Sequence, residues 1–350
     1  MIKRTIIVFI SCFVLAVLLN HRLFSNKLIL KHRGVSWVAG PRPVAARDFE
    51  PLVKNHVNWI VQTPFGWQKS INSPDVKLVT DGFVYWGETD AGLKRTAELA
   101  KAAGIKTLLK PHIWLQNSQK GKWRGEIAMD NEANWQRWFA SYKKFILHYA
   151  KLAEENHIEA LAIGTELYAT AIQREQDWRD IIAMVRKVYH GELTYSANWY
   201  KEFEEIKFWD ALDYIGIQGY FPLTEKENPS IDELKNAWQP YLNAIERVSK
   251  KFHKPVIFTE IGYKSTKNTA ARPWEWPGRF VGASSAIDLM TQANCYEAFF
   301  QVFWQKKWFA GVYFWKWFPG LNRSVKEKDF TPQNKPAEQV MAKWFEPPKS

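Results

Sequence analysis

The chain has 350 residues, of which 46% are hydrophobic and 24% are charged. This composition is typical of a globular protein with a large core and excludes an intrinsically disordered chain. The net charge of +12 is spread along the sequence without a concentrated basic tract, so we expect no nucleic-acid partner.

The first residues differ from the rest of the chain. Lys3 and Arg4 precede an apolar run from residue 6 to residue 19, which is the pattern of a secretory signal. We assign residues 1–26 to a signal peptide or membrane anchor and residues 27–350 to a single catalytic domain. The run is short for a transmembrane helix and no clean cleavage site follows it, so removal and anchoring through residues 6–19 both stay open. Either predicts export to the periplasm, the cell exterior or the membrane surface.

From residue 34 onward one pattern repeats: a short apolar run, a polar loop and an amphipathic helix. Eight strands are predicted, over residues 34–38, 59–63, 107–111, 160–164, 193–197, 214–218, 256–259 and 311–315. Residues 82–85 also resemble a strand, but we place them in the second loop. Helices are predicted over residues 90–103, 134–156, 177–189, 231–253, 284–308 and 336–345.

Strands that alternate with helices predict a parallel sheet with right-handed crossovers. Eight such units close most naturally into a (β/α)₈ TIM barrel, an α/β fold whose active site lies at the carboxyl ends of the strands. A doubly wound open sheet is the alternative fold, but the sequence has no glycine-rich dinucleotide or phosphate loop that would favour it.

Two predicted strands end in a glutamate. Glu166 follows the fourth strand and Glu260 follows the seventh. A carboxylate placed directly after a buried run costs free energy unless it is paired, so two of them indicate a function. Glycoside hydrolysis requires two carboxyl groups on either side of one bond. We predict that Glu166 and Glu260 are this catalytic pair.

Several other side chains end predicted strands and are candidates for contact with a sugar. Lys110 could neutralise a carboxylate, and His112 could bind a sugar hydroxyl, although a single histidine is more often structural. The remaining candidates are Asn198, Tyr220, Trp37, Trp315 and Trp317. Flat indole rings suit the apolar faces of sugars, and the chain has 19 tryptophans, but packing in the core is the alternative explanation for each.

The segments around the two glutamates, IGTEL at residues 163–167 and FTEIGY at residues 258–263, resemble clan A glycosidases. More narrowly, the chain resembles glycoside hydrolase family 113, the β-mannanases, from Arg33 to Trp317. The resemblance implies that Glu166 is the general acid/base and Glu260 the nucleophile, with net retention of configuration.

The same resemblance implies roles for neighbouring residues. Tyr220 would donate a hydrogen bond to the nucleophile, and Trp315 would form the floor beneath the sugar that is attacked. Thr165 departs from the clan pattern, because many members carry asparagine there and use it to contact the sugar 2-hydroxyl. A threonine hydroxyl has a shorter reach, so we expect this contact to come from another residue, such as Asn198.

These observations predict a retaining glycosidase that acts in the interior of β-1,4-mannan chains or on manno-oligosaccharides. An exo-β-mannosidase, a transglycosylase, another β-glycosidase and a non-catalytic carbohydrate-binding barrel are the alternatives. The loops over residues 115–134 and 264–283 would decide between endo and exo action, and Trp274 and Trp276 in the latter suggest an exposed platform. We expect no cofactor and no metal, because the histidines show no H-E-x-x-H or paired spacing.

Overall fold

The structure is a computed structural model that describes residues 30–82, 84–117, 121–276, 286–320 and 328–348. The predicted signal or anchor at residues 1–26 lies outside the described residues and stays a prediction. No helix within the described ranges combines the length and the apolar character that crossing a membrane requires.

Eight parallel strands form a closed barrel, as the sequence predicts. They are β1 (His32–Trp37), β2 (Trp59–Gln62), β3 (Lys106–Leu109), β4 (Ala160–Thr165), β5 (Glu192–Asn198), β6 (Ile215–Gln218), β7 (Val256–Ile261) and β8 (Phe309–Trp317). Each strand pairs with its neighbours in the sequence, and β1 pairs with β8 to close the cylinder. Every predicted strand is confirmed to within a few residues, and no strand forms at the described part of residues 82–85.

Helices follow the strands and cover the outside of the barrel. The α-helices are Glu50–Lys54, Asp90–Ala102, Glu132–Glu155, Tyr168–Gln173, Glu175–Arg186, Glu202–Glu205, Ile231–Phe252, Leu289–Phe303 and Pro336–Phe345. Ser230 and Glu233 form a reciprocal capping box at the start of Ile231–Phe252. The helix predicted over residues 284–308 is shorter than expected, because the Asp288 side chain caps its first turn by accepting the Thr291 N–H over 2.9 Å.

Two apolar layers stabilise the barrel. The larger one lies between the strands and the helices, and a smaller one fills the barrel interior with Val61, Leu108, Ala162 and Tyr313 among others. Gly34 on β1 makes room for the large ring of Tyr313, since a Cβ atom there would lie 2.2 Å from that ring. The strands are therefore packed on both faces, which explains why they appear as almost continuous apolar runs in the sequence.

A second, three-stranded sheet stands beside the barrel and was not predicted. It comprises Phe65–Gln68, Val76–Leu78 and His112–Leu115, and we call it the accessory sheet. Its strands come from the loops after β2 and β3. The segment His112–Leu115 continues the chain from β3 after a break at Lys110 and Pro111, so one stretch of chain belongs to both sheets.

Candidate active site

Both predicted catalytic glutamates lie where the regular pairing of their strand is interrupted. On β4, Ala162 and Thr165 pair with Thr194 and Ser196, so β4 has one residue more than β5 just before Glu166. On β7, Phe258 and Glu260 pair with the adjacent residues Ile217 and Gln218, which leaves another extra residue. Such bulges redirect side chains at barrel rims. A β-bulge therefore orients the carboxyl group at the end of each of these two strands.

The backbone of Glu166 is fixed by the adjacent strand β5. Its φ angle of 52° is left-handed, which is uncommon for residues other than glycine. The Glu166 N–H donates to the carbonyl of Ser196 over 2.9 Å, and the Leu167 N–H donates to the Tyr195 hydroxyl over 2.8 Å. These hydrogen bonds hold the turn that presents the carboxyl group.

The carboxyl group of Glu166 is largely buried, with 15% of its side chain exposed. Asn198 donates from Nδ2 to Glu166 Oε1 over 2.7 Å, and Arg124 Nη1 lies 3.6 Å from Oε2. Burial raises the pKa of Glu166, the Arg124 guanidinium opposes this rise, and the charge of Glu260 adds to it. A carboxyl group that keeps its proton to higher pH is suited to donate it.

A third buried carboxyl group, Glu202, supports this side of the site. It accepts the Asn198 backbone N–H at Oε2 over 2.5 Å and the Tyr195 hydroxyl at Oε1 over 2.6 Å. Complete burial raises its pKa to about 8, against the hydrogen bonds that lower it. Glu202 thus holds both the side-chain partner of Glu166 and the tyrosine that binds Leu167. The sequence did not single it out.

Glu260 has strong donors at both carboxylate oxygens. Tyr220 donates its hydroxyl to Oε2 over 2.9 Å, and Lys110 donates to Oε1. Lys110 is fully buried, and its Nζ also donates to the carbonyl of Thr259 over 3.2 Å and to Gln218 Oε1 over 3.4 Å. Burial lowers the pKa of Lys110, while the charge of Glu260 raises it. The three acceptors match the three N–H donors of an ammonium group.

His112 and Arg124 connect the two glutamates. Arg124 Nη1 donates to His112 Nδ1 over 2.8 Å, and His112 Nε2 lies 3.9 Å from Glu260 Oε1. Burial, with the charges of Lys110 and Arg124, lowers the pKa of His112 well below its usual value. Because a guanidinium can only donate, Nδ1 of the neutral ring accepts and its proton resides on Nε2. Arg124 was not predicted, since it lies in the 3₁₀-turn Arg124–Glu126 of a long loop.

The structure does not favour Thr165 as a sugar contact. Its hydroxyl is buried and donates to the carbonyl of Pro111 over 3.2 Å. Asn198 is closer to the chemistry, because its side chain reaches Glu166 while its Oδ1 accepts the Tyr200 N–H over 2.8 Å. Among the described residues, the second N–H of the Asn198 amide has no acceptor and can donate to a substrate hydroxyl.

The tryptophans at the ends of β1 and β8 separate into two groups. Trp315 is half-buried, and the ring of Trp276 meets it edge-on at 6.2 Å. Trp317 is only 1% exposed and lies in the core, and Trp37 is buried in a stack with Phe49 at 4.6 Å. These positions correspond to barrel-wall packing, so the proposed sugar contacts of Trp317 and Trp37 are not supported.

A bulge explains why Trp315 and Trp317 differ. Val35 and Trp37 of β1 pair with Phe314 and Trp317 of β8, so β8 carries one extra residue between them. The extra residue breaks the alternation that would place both indoles on one face.

The loop after β7 brings further aromatic side chains into this region. Trp274 and Trp276 are 41% and 42% exposed, as expected for a platform. Trp274 stacks on Trp199, which follows β5, with ring centroids 5.3 Å apart.

Among the residues that the structure describes, no group of histidine, cysteine or acidic side chains could hold a metal ion.

A closed (β/α)₈ barrel with two linked carboxyl groups at its C-terminal rim, bordered by indoles, is the architecture of a glycoside hydrolase. The profile of Glycoside Hydrolase Family 113 matches residues 38–345. The chain belongs to this family and is a glycoside hydrolase.

Solved structures agree with this assignment. A GH113 β-1,4-mannanase complex is similar to this chain at 29% identity and a TM-score of 0.75, covering 90% of this chain and 98% of that one. The GH113 β-mannanase AaManA from Alicyclobacillus acidocaldarius in complex with ManMIm matches at 28% identity and a TM-score of 0.75, covering 90% and 97%.

A β-glucuronidase from Ruminococcus gnavus, at 16% identity and a TM-score of 0.57, shares the fold. That match covers 91% of this chain and 50% of the glucuronidase. Comparison with curated protein sequences gave no match.

Proposed function

We propose that the protein is a retaining β-mannanase in which Glu166 is the general acid/base and Glu260 the nucleophile. The observation that carries this proposal is the contrast between the two carboxyl groups. Glu260 accepts hydrogen bonds from Lys110 and Tyr220, as an ionised carboxylate does, whereas burial raises the pKa of Glu166. Environments that separate two carboxyl groups in this way assign the acid and the nucleophile.

The reaction follows from these assignments. Glu166 protonates the departing glycosidic oxygen while Glu260 attacks the anomeric carbon, and a covalent glycosyl-enzyme forms through an oxocarbenium-like transition state. Glu166, now ionised, takes a proton from water, which attacks the same carbon and releases Glu260. Two inversions give net retention. The Asn198 hydrogen bond to Glu166 Oε1 is charge-assisted once the proton has left, so it favours the second half of the cycle.

The substrate is proposed from the structural neighbours. Two family-113 proteins similar to this chain are β-1,4-mannanases, and this chain covers 98% and 99% of their lengths. We propose endo action because exposed indoles at Trp114, Trp274 and Trp276 extend the aromatic surface beyond a single sugar unit. An exo-β-mannosidase or a transglycosylase would use the same two glutamates with a different product pattern.

The decisive experiment combines product analysis with rescue. Wild-type protein should cut mannohexaose into a mixture of shorter oligosaccharides, and NMR during the reaction should show the β-anomer first. Glu260→Ala and Glu166→Ala should each lose most turnover, and azide should restore Glu260→Ala with α-mannosyl azide as product. Glu346→Ala, which changes an exposed carboxylate after the last helix, is the matched control. Full activity in either catalytic variant would refute the assignment.

Product size separates the alternatives. Release of mannose alone from one end of the chain indicates an exo-mannosidase, and products longer than the substrate indicate transglycosylation. Hydrolysis of glucan in preference to mannan would keep the catalytic pair and change the substrate. Tight binding of oligosaccharides without any turnover would indicate a non-catalytic barrel.

A further inference from the structure

The two faces of the accessory sheet have different surroundings. One face is covered by the helix Glu132–Glu155: a Cβ atom at Gly66 would lie 2.6 Å from the ring of Phe145, and Gln68 Oε1 accepts the Trp138 indole N–H over 3.0 Å. Ile113 is buried on this same face. Because side chains alternate along a strand, the residues between these point to the opposite face.

That opposite face carries Phe65, Trp67, His112 and Trp114, which we call the aromatic row. Phe65 pairs with His112 and Trp67 with Trp114 across the parallel strands. The Phe65 ring lies 5.8 Å from His112 and 5.7 Å from Trp114, and Trp67 lies 6.3 Å from Trp114. Trp114 is 42% exposed, so the row ends in an open indole surface.

The inner end of the aromatic row lies at the catalytic centre. His112 Nε2, which carries the ring proton, is 3.9 Å from Glu260 Oε1 and has no hydrogen-bond partner among the described residues. The indole N–H of Trp67 is also buried without a partner in that part of the chain. The aromatic row therefore runs from the reacting group to an open indole at Trp114, and such a flat surface suits the apolar faces of sugar rings.

The spacing suits a chain of sugar rings. Residues two apart on a strand are separated by about 7 Å, so Trp114 lies roughly one pyranose unit further out than His112. The row starts beside Glu260, where the attacked sugar is bound in the proposed mechanism, and Arg124 lies between its inner end and Glu166. It therefore extends towards the glycone side of the cleaved bond.

We propose that the aromatic row is an extended glycone-binding site, in which Trp114 stacks on a sugar unit of a β-linked oligosaccharide beyond the unit at Glu260. This inference rests on the proposed function for its direction along the substrate. Whether the aromatic row binds an oligosaccharide at all does not depend on the proposed function.

Aryl β-mannosides of increasing length test the position. The aryl group occupies the leaving-group side, so each added mannose extends the glycone side alone. In wild-type protein kcat/KM should rise from the monoside to the trioside, and Trp114→Ala should reduce that gain about 10- to 100-fold, as expected for losing one stacked aromatic ring. Trp114→Phe should keep part of the gain.

Phe252→Ala is the control, because Phe252 ends the helix before β7 and so lies at the opposite end of the barrel. It should leave the gain as in wild type. An equal gain in Trp114→Ala and wild type would overturn the proposal, and so would a gain that Phe252→Ala reduces as strongly as Trp114→Ala does.

A binding measurement separates this proposal from the proposed function. In a Glu166→Gln background, titration with mannohexaose and cellohexaose is followed by calorimetry, with and without Trp114→Ala. If wild-type protein hydrolyses no mannoside but Trp114→Ala still weakens binding of either hexaose at least tenfold, the mannanase assignment fails and the binding site stands. Unchanged affinity for both hexaoses, or no binding of either by the parent, would overturn the site.

Discussion

Asn198 donates a hydrogen bond of 2.7 Å from its side-chain amide to Oε1 of Glu166, across the boundary between β5 and β4. The bond favours the ionised form of Glu166 and opposes the rise in its pKa that burial causes. The protonation of the acid is therefore set partly by the neighbouring strand.

Replacing Asn198 should move the alkaline limit of activity. Asn198→Asp removes the donor and places a like charge beside Glu166 on a side chain of the same shape, so the pKa of Glu166 should rise. The proton needed for catalysis is then kept to higher pH, and the alkaline limb of kcat/KM against pH shifts upward by the same amount while the maximum falls. Asn198→Ala should give a smaller shift in the same direction. An alkaline limb that stays in place or moves to lower pH would contradict the assignment of Glu166 as the acid.

Tyr220→Phe should lower kcat by about 10- to 100-fold, because it removes one hydrogen bond to a charged carboxylate without changing the shape of the ring. The control is Tyr214→Phe, since Tyr214 donates to Glu192 over 3.0 Å at the start of β6, at the other end of the barrel. Steady-state kinetics on one aryl mannoside compare the two. Equal losses in both variants would show that the effect is structural.

Lys110→Met should destabilise the fold by about 3–5 kcal/mol, because it leaves the buried carboxylate of Glu260 without its cation. The double variant Lys110→Met with Glu260→Gln should recover part of this loss, since a neutral amide needs no counter-ion. Urea unfolding of the wild type, both single variants and the double variant completes the cycle. If the two effects simply add, the buried ion pair is not coupled as the structure indicates.

Glu202 should make the protein less stable as pH rises. The fold raises the pKa of Glu202 from 4.5 to about 8. At pH values between these two, the unfolded chain therefore binds fewer protons than the folded chain. The free energy of unfolding therefore falls as pH increases through this window. Glu202→Gln should flatten that slope between about pH 5 and about pH 8 in urea unfolding. Glu204→Gln, an exposed neighbour on the same helix, should keep the wild-type slope.

The barrel could be predicted because each of its elements is encoded locally. An apolar run such as residues 160–164 forms a strand in the structure, and the glutamate after it marks the rim. The capping box of Ser230 and Glu233 is equally local. In contrast, the accessory sheet joins three short segments from two loops, and Val76–Leu78 is too short to show an alternating pattern.

The supporting residues of the site could not be predicted for a related reason. Glu202 begins a run of acidic residues that suggests a solvated helix end, yet the fold buries it against Tyr195. No sequence motif around Arg124 identifies it as a site residue. Its contacts with His112 and Glu166 depend on the course of a long loop. Trp315 and Trp317 are two residues apart, so the sequence predicts that both face the same side of the strand. The bulge in β8 changes this, and it cannot be recognised from the sequence.

The stretch from Lys106 to Leu115 runs along β3 to the rim of the barrel and continues from there into the accessory sheet. Lys110 and His112 approach the nucleophile from it, and Trp114 follows at the next alternate position. Inserting one residue between His112 and Ile113 would turn the indole of Trp114 inward and bring Ile113 out in its place. The length of this segment therefore ties the reach of substrate recognition to the position of the reacting group.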